Sequence, residues 1–186
     1  MIPSDQFVRF YNEVFKFLDA QPGDALEAYY RVVSEQQEMH CLHLFKEQGL
    51  AGMKAYWDRI AVEENCDMSS ALYPDRFELV MNRCPSLSKA MDNDAGAFPR
   101  YCDHCPGWVV PLIEKAGFRC EYDMIDRTVP QCRLTVYPAE PGRTSRVLVT
   151  AGSRETLSHA CCSANQPSCA LNVIEAADRA NGRCAV

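Results

Sequence analysis

The sequence predicts an α+β protein in which N-terminal helices pack on a small antiparallel sheet. Three observations carry this. Apolar residues recur at helical spacing over the first third of the chain. Strand-like alternation sets in after Tyr73-Pro74-Asp75. Two later alternating runs flank a short loop, as the strands of a hairpin do. At 186 residues the chain is most simply one domain. Within it, 1–72 is expected to be a helical part, 73–150 a cysteine-rich α+β core and 151–186 a C-terminal helical extension.

Ser4 suits the N-cap of a first helix, along which Phe7, Phe10, Tyr11, Val14, Phe15 and Leu18 recur as a largely aromatic face. That face is large enough to serve either the core or a homo-oligomer interface. Pro22-Gly23 stops the helix. A second runs from about Ala25 to Gln48, with Leu26, Tyr29, Tyr30, Val33, Cys41, Leu44 and Phe45 on its buried side, and Gly49 ends it. A third is expected from about Gly52 to Glu64. Phe77, Leu79 and Met81 mark a strand ending at Cys84-Pro85, and a short helix follows from Leu87 to Met91. Pro106 fits the first turn of the next helix, while Pro111 implies a kink or a later start. Phe118, Cys120, Tyr122 and Met124 alternate with polar residues, as do Cys132, Leu134 and Val136. Together they predict a hairpin closed by a loop near Arg127 to Gln131. Arg146 to Thr150 is a further strand, and a last helix is expected from about Cys169 to Ala180.

The net charge of −6, with no basic cluster, argues against a nucleic-acid partner. No apolar run approaches the roughly 20 residues of a membrane span. Met1 to Gln6 does not resemble a signal peptide, so a cytoplasmic location with reduced thiols is expected.

Eleven cysteines are the unusual feature. The segment Cys102-Asp103-His104-Cys105-Pro106 lies near a predicted helix start, where the helix dipole favours thiolate. His104 between the two thiols offers positive charge or a ligand nitrogen. A thioredoxin-like redox site, with Val129-Pro130 as its facing proline, needs a βαβ unit that the order of elements lacks. Zinc or an iron–sulfur cluster is open on Cys84, Cys102, Cys105 and Cys132, with Cys120 as a fifth candidate, and spacing selects neither metal. Asp103, Asp123 and Asp126 are the nearby carboxylates. Cys41, Cys66, Cys161, Cys162, Cys169 and Cys184 are expected to be packing or tail thiols, and His40 and His43 to share a solvated helix face.

In layout, the stretch from Phe77 to Tyr137 resembles the L-2-amino-thiazoline-4-carboxylic acid hydrolase family. An apolar strand runs into Cys84-Pro85. A helix and a second cysteine group, Cys102 and Cys105, follow, then an acidic residue, Asp123, and a strand opening Cys132-Arg133-Leu134. Gly49-Leu50-Ala51-Gly52-Met53 and Tyr56-Trp57 add a looser likeness. The resemblance implies a hydrolase acting on a non-peptide C–N bond of a small thiazoline- or amidine-type substrate, with no cofactor. Cys102 or Cys105 would be the nucleophile, and Asp123 or His104 would handle the proton. Arg119 or Arg133 would pair with a substrate carboxylate. The competing class is a non-enzymatic metal-binding or redox-sensor domain.

Overall fold

The computed structural model describes residues 5–92 and 96–149. The predicted C-terminal helix, the N-cap at Ser4 and the cysteines from Cys161 onward lie outside the described residues. Helix α1 spans Asp5–Asp19 and α2 spans Ala25–Glu63. Strands β1 (Asp67–Leu72) and β2 (Phe77–Arg83) lead into the short helix α3 (Pro85–Met91). A 3₁₀ turn at Tyr101–Asp103 opens directly into α4 (His104–Lys115). Strands β3 (Phe118–Met124), β4 (Cys132–Pro138) and β5 (Arg146–Val149) complete the described chain. The class is α+β, with two N-terminal helices ahead of the sheet and α3 and α4 inserted between β2 and β3.

The two helices expected on either side of Gly49 form one long element broken at that residue, where φ is 57° and ψ is −136°. A left-handed φ of this kind suits glycine, which has no Cβ to clash. One turn later, a Cβ on Gly52 would stand 2.5 Å from the Leu44 carbonyl oxygen and 2.9 Å from the Gln48 Cβ. Backbone atoms cannot turn aside as a side chain can. Gly52→Ala is therefore expected to destabilise the protein by about 2 kcal/mol in urea unfolding, although alanine is the better helix former by about 1 kcal/mol.

The sheet has strand order β1-β2-β4-β3-β5. Two features depart from the sequence expectation. First, residues 67–72, assigned there to the helical part, form an edge strand hairpinned onto β2. The segment Asp-Met-Ser-Ser-Ala-Leu carries no β-branched or aromatic residue, so its pairing comes from the turn, where the Tyr73 N–H donates to the Arg76 carbonyl at 2.8 Å. Second, the sheet is mixed, because β5 runs parallel to β3. The physical reason is the short connection. Strand β4 ends beside the start of β3, with Pro138 opposite Phe118. A chain that crosses there to the free edge of β3 sets out in the direction of β3. The predicted hairpin between β3 and β4 is present, with Cys120 opposite Val136 and Met124 opposite Cys132.

Helix α4 starts at His104, so Pro106 falls in its first turn as expected. The helix continues through Pro111, whose side is exposed to solvent. The carbonyl left without its helical donor can therefore be met by water.

Two apolar clusters hold the elements together. One joins Phe45, Met53 and Trp57 of α2, Val110 and Ile113 of α4, and Phe77, Cys120, Tyr122, Leu134 and Val136 of the sheet. Trp57 stacks between Phe45 and Phe77 at centroid distances of 5.4 and 5.6 Å. The other joins Val8 and Phe15 of α1, Leu26 and Tyr30 of α2, Leu87 and Ala90 of α3, and Phe98 and Tyr101. Buried Asn12 pins the chain before the 3₁₀ turn onto α1: its amide donates to the Gly96 carbonyl at 2.9 Å and its oxygen accepts from the Phe98 N–H at 2.7 Å. Cys102 packs against both clusters, and the site lies at this seam.

Candidate active site

Cys84, Cys102, Cys105 and Cys132 line one cavity of about 30 Å³, together with His104, Tyr101, Tyr122 and the loop residues Asp126, Val129, Pro130 and Gln131. The four thiols proposed from sequence as one group are thus brought together. Each reaches the cavity from a different element. Cys84 is the N-cap of α3, and its sulfur accepts from the Leu87 N–H at 3.4 Å. Cys102 belongs to the 3₁₀ turn, Cys105 to the first turn of α4, and Cys132 opens β4.

The loop over the cavity is held at both ends. The Cys84 N–H donates to the Pro130 carbonyl at 2.7 Å. The Arg127 guanidinium donates to the Asp103 carboxylate at 2.9 Å, and the Cys102 thiol lies 3.9 Å from the Arg127 carbonyl. Asp103 also accepts from Arg100 at 3.1 Å, and Arg100 continues to Asp19 at 2.7 Å and Glu27 at 2.6 Å. Asp103 therefore serves as an anchor between the 3₁₀ turn, the loop and the N-terminal helices.

His104 is buried among the rings of Phe15, Tyr101 and Trp108, with centroids 5.4, 5.0 and 4.6 Å away. Burial pushes its pKa down to about 4, against smaller opposing effects of the Tyr101 carbonyl and Asp103. The imidazole is therefore neutral at neutral pH. Its Nδ1 bonds the Tyr101 backbone carbonyl. A carbonyl only accepts, so Nδ1 carries the proton and Nε2 presents a lone pair. That lone pair faces the Cys105 sulfur at 3.2 Å. The Cys105 thiol accordingly donates a hydrogen bond to His104 and keeps its proton, while the Tyr101 carbonyl fixes the tautomer.

The expected lowering of thiol pKa at the helix start is reversed. Burial pushes Cys105 up to about 11, although a hydrogen bond from Tyr122 works the other way. Burial and neighbouring thiols push Cys84 up to about 11 and Cys132 up to about 12. Cys102 is raised as well, by burial first and then by Cys105, Cys84 and Cys132. Burial is the leading cause for all four thiols and outweighs the helix dipole, and for Cys84, Cys102 and Cys132 the neighbouring sulfurs add to it. The Tyr122 hydroxyl lies 3.5 Å from the Cys132 sulfur.

Three residues named from sequence are placed elsewhere. Tyr122 and Met124 face the cavity, so the alternation of β3 turns Arg119 and Asp123 to the opposite face. Arg119 is buried there, over the Tyr137 ring at 4.2 Å and 3.6 Å from the Glu140 carboxylate. Arg133 stands opposite Asp123 in the β4 register, exposed and outside the cavity lining. Neither arginine is placed to receive a substrate carboxylate in the cavity, and Asp123 is not placed to move a proton there. Cys120 is fully buried in the sheet core rather than a fifth wall thiol. Cys41 is likewise core, and His40 and His43 are exposed, as expected.

Tyr122, Tyr101, Arg127 and Arg100 were not picked out as site residues from sequence. The phase of Tyr122 on its strand, shared with Met124, was the available signal, whereas nothing local marks the Asp103–Arg127 pair. Among the described residues, no helix is long and apolar enough to cross a membrane, and no three His, Cys, Asp or Glu side chains stand ready-made as a metal site. Comparison with protein-family models, with curated proteins and with solved structures gave no match.

Proposed function

We propose that the chain is a hydrolase-like protein acting on a non-peptide C–N bond of a small thiazoline- or amidine-type molecule, with Cys105 as nucleophile and His104 as general base. The observation that carries the reading is the Cys105–His104 pair: a thiol 3.2 Å from an imidazole nitrogen whose tautomer leaves it free to take the proton. Cys102 has no such base, its sulfur facing the Arg127 carbonyl instead. The resemblance to the thiazoline hydrolases agrees with this chemistry and supplies the substrate class.

The thiol stays protonated until attack. The Cys105 sulfur adds to the amidine-like carbon as its proton passes to His104 Nε2. The C–N bond then breaks, and the departing nitrogen takes that proton. Water, deprotonated by the same imidazole, releases the product and restores the thiol. About 30 Å³ accommodates the reacting atoms rather than a whole ring, so the remainder of the substrate would sit in the mouth beside Asp126 to Gln131.

The test is amine release from 2-amino-thiazoline-4-carboxylate and small amidines by the reduced full chain. Cys105→Ser and His104→Gln are expected to lower turnover at least 100-fold, and Cys102→Ser less than 10-fold. Turnover that survives Cys105→Ser, or failure of wild-type protein to act on any of these compounds, would sink the reading.

A further inference from the structure

We infer that Cys84, Cys102, Cys105 and Cys132 together take up one thiophilic divalent cation of the zinc class in the cavity they line. Four sulfurs are the number and type of donor that a tetrahedral zinc-like ion takes. About 30 Å³ is room for a single ion in place of one or two waters. Soft sulfur predominates on the wall, where Asp126 is the one carboxylate, so the donor set favours a thiophilic ion over a hard one.

Hydrogen-bonding groups also stand beside two of the sulfurs. The Cys84 sulfur sits at the N-terminus of α3 and receives N–H groups from Leu87 and Ser86. The Tyr122 hydroxyl stands 3.5 Å from the Cys132 sulfur. These are the outer hydrogen bonds that steady ligating sulfur. The sulfurs line the cavity wall without forming a ready-made ligand set, so uptake of an ion would have to draw them together. Each ligating thiol releases its proton to solvent. A bound dication favours the thiolate form of each of its ligands.

The inference uses the same cavity as the proposed chemistry but does not depend on the reactivity of Cys105. A bound ion would occupy the attacking sulfur, so the loaded protein is expected to be the inactive form and the reduced, metal-free protein the active one.

The experiment is anaerobic titration of the reduced full chain with Co²⁺, then displacement by Zn²⁺. One equivalent is expected to bind with sulfur-to-cobalt charge-transfer absorption. Alkylation mapped by mass spectrometry on wild-type protein should then show Cys84, Cys102, Cys105 and Cys132 protected together by one equivalent of Zn²⁺, with Cys66 unaffected. Cys84→Ser and Cys132→Ser are each expected to weaken binding at least 100-fold, and Cys66→Ser not at all. Absence of the charge-transfer band, protection that omits Cys84 or Cys132, or purification with stoichiometric iron and sulfide would overturn the single-ion assignment. The wild-type protection map decides the matter even if a variant fails to fold. Loss of metal uptake with Cys105-dependent turnover intact would remove this inference and leave the hydrolase reading standing. Metal uptake without turnover would do the reverse.

Discussion

Acidification from pH 6.5 to pH 4 is expected to remove about 3 kcal/mol of stability through His104 alone. In the unfolded chain this imidazole titrates near its ordinary value of about 6.5. In the fold, burial holds it down to about 4. Between the two values the unfolded chain binds a proton that the folded chain does not, so stability rises with pH across that window. The contribution is intact above about 6.5, declines as pH falls, and is fully lost below about 4. The measurement is the urea midpoint against pH for wild type and His104→Gln. Glutamine can still donate to the Tyr101 carbonyl but does not titrate. The wild-type curve is expected to fall more steeply over the window, while carboxylates elsewhere act on both proteins alike. Parallel curves would show that the imidazole is not held neutral by its surroundings.

Asp103→Asn is expected to cost about 2–3 kcal/mol and to loosen the loop over the cavity. The side chain is only 10% exposed and accepts from two guanidinium groups, Arg100 and Arg127. Removing one partner of a fully buried ion pair costs roughly 3–5 kcal/mol. The guanidinium groups here are 39% and 33% exposed, so solvent screens part of that loss. Asparagine keeps one acceptor for two donors. Urea unfolding should report the stability change, and amide hydrogen exchange over 125–131 should quicken while exchange in β3 and β4 holds. Unchanged exchange in the loop would mean that Asp103 does not anchor it.

Much of the fold was legible because local pattern and tertiary burial agree there. The helical period of α1, the breaks at Gly23 and Gly49 and the alternation of β3 and β4 are each set by residues close in sequence, although Phe7 and Phe10 of the expected aromatic face are exposed while Val8 and Asn12 are buried. Strand β1 was not legible, because nothing in its composition favours a strand and the hairpin with β2 imposes it. The direction of β5 was hidden because it depends on where β4 ends relative to β3. At the site, the grouping of Cys84, Cys102, Cys105 and Cys132 could be proposed from chain order. The faces of Arg119, Asp123 and Arg133 needed the phase of β3 and β4 tied to a known cavity wall. The sign of the thiol pKa values was also out of reach, because the helix-start argument is local whereas burial and mutual repulsion are not.

The cavity has a stiff floor and an adjustable roof. Its floor is built on β4, hydrogen-bonded to strands on both sides, and on β3 beside it. Its roof is the span 126–131, fastened by a few hydrogen bonds and one ion pair. A change in the floor disturbs several strands at once, whereas a residue inserted in or removed from the roof disturbs little beyond the roof. Descendants of this chain would therefore be expected to hold the floor residues Tyr122, Met124 and Cys132 constant while the length and sequence of this span drift. Diversification of what the cavity admits would be written in those few residues.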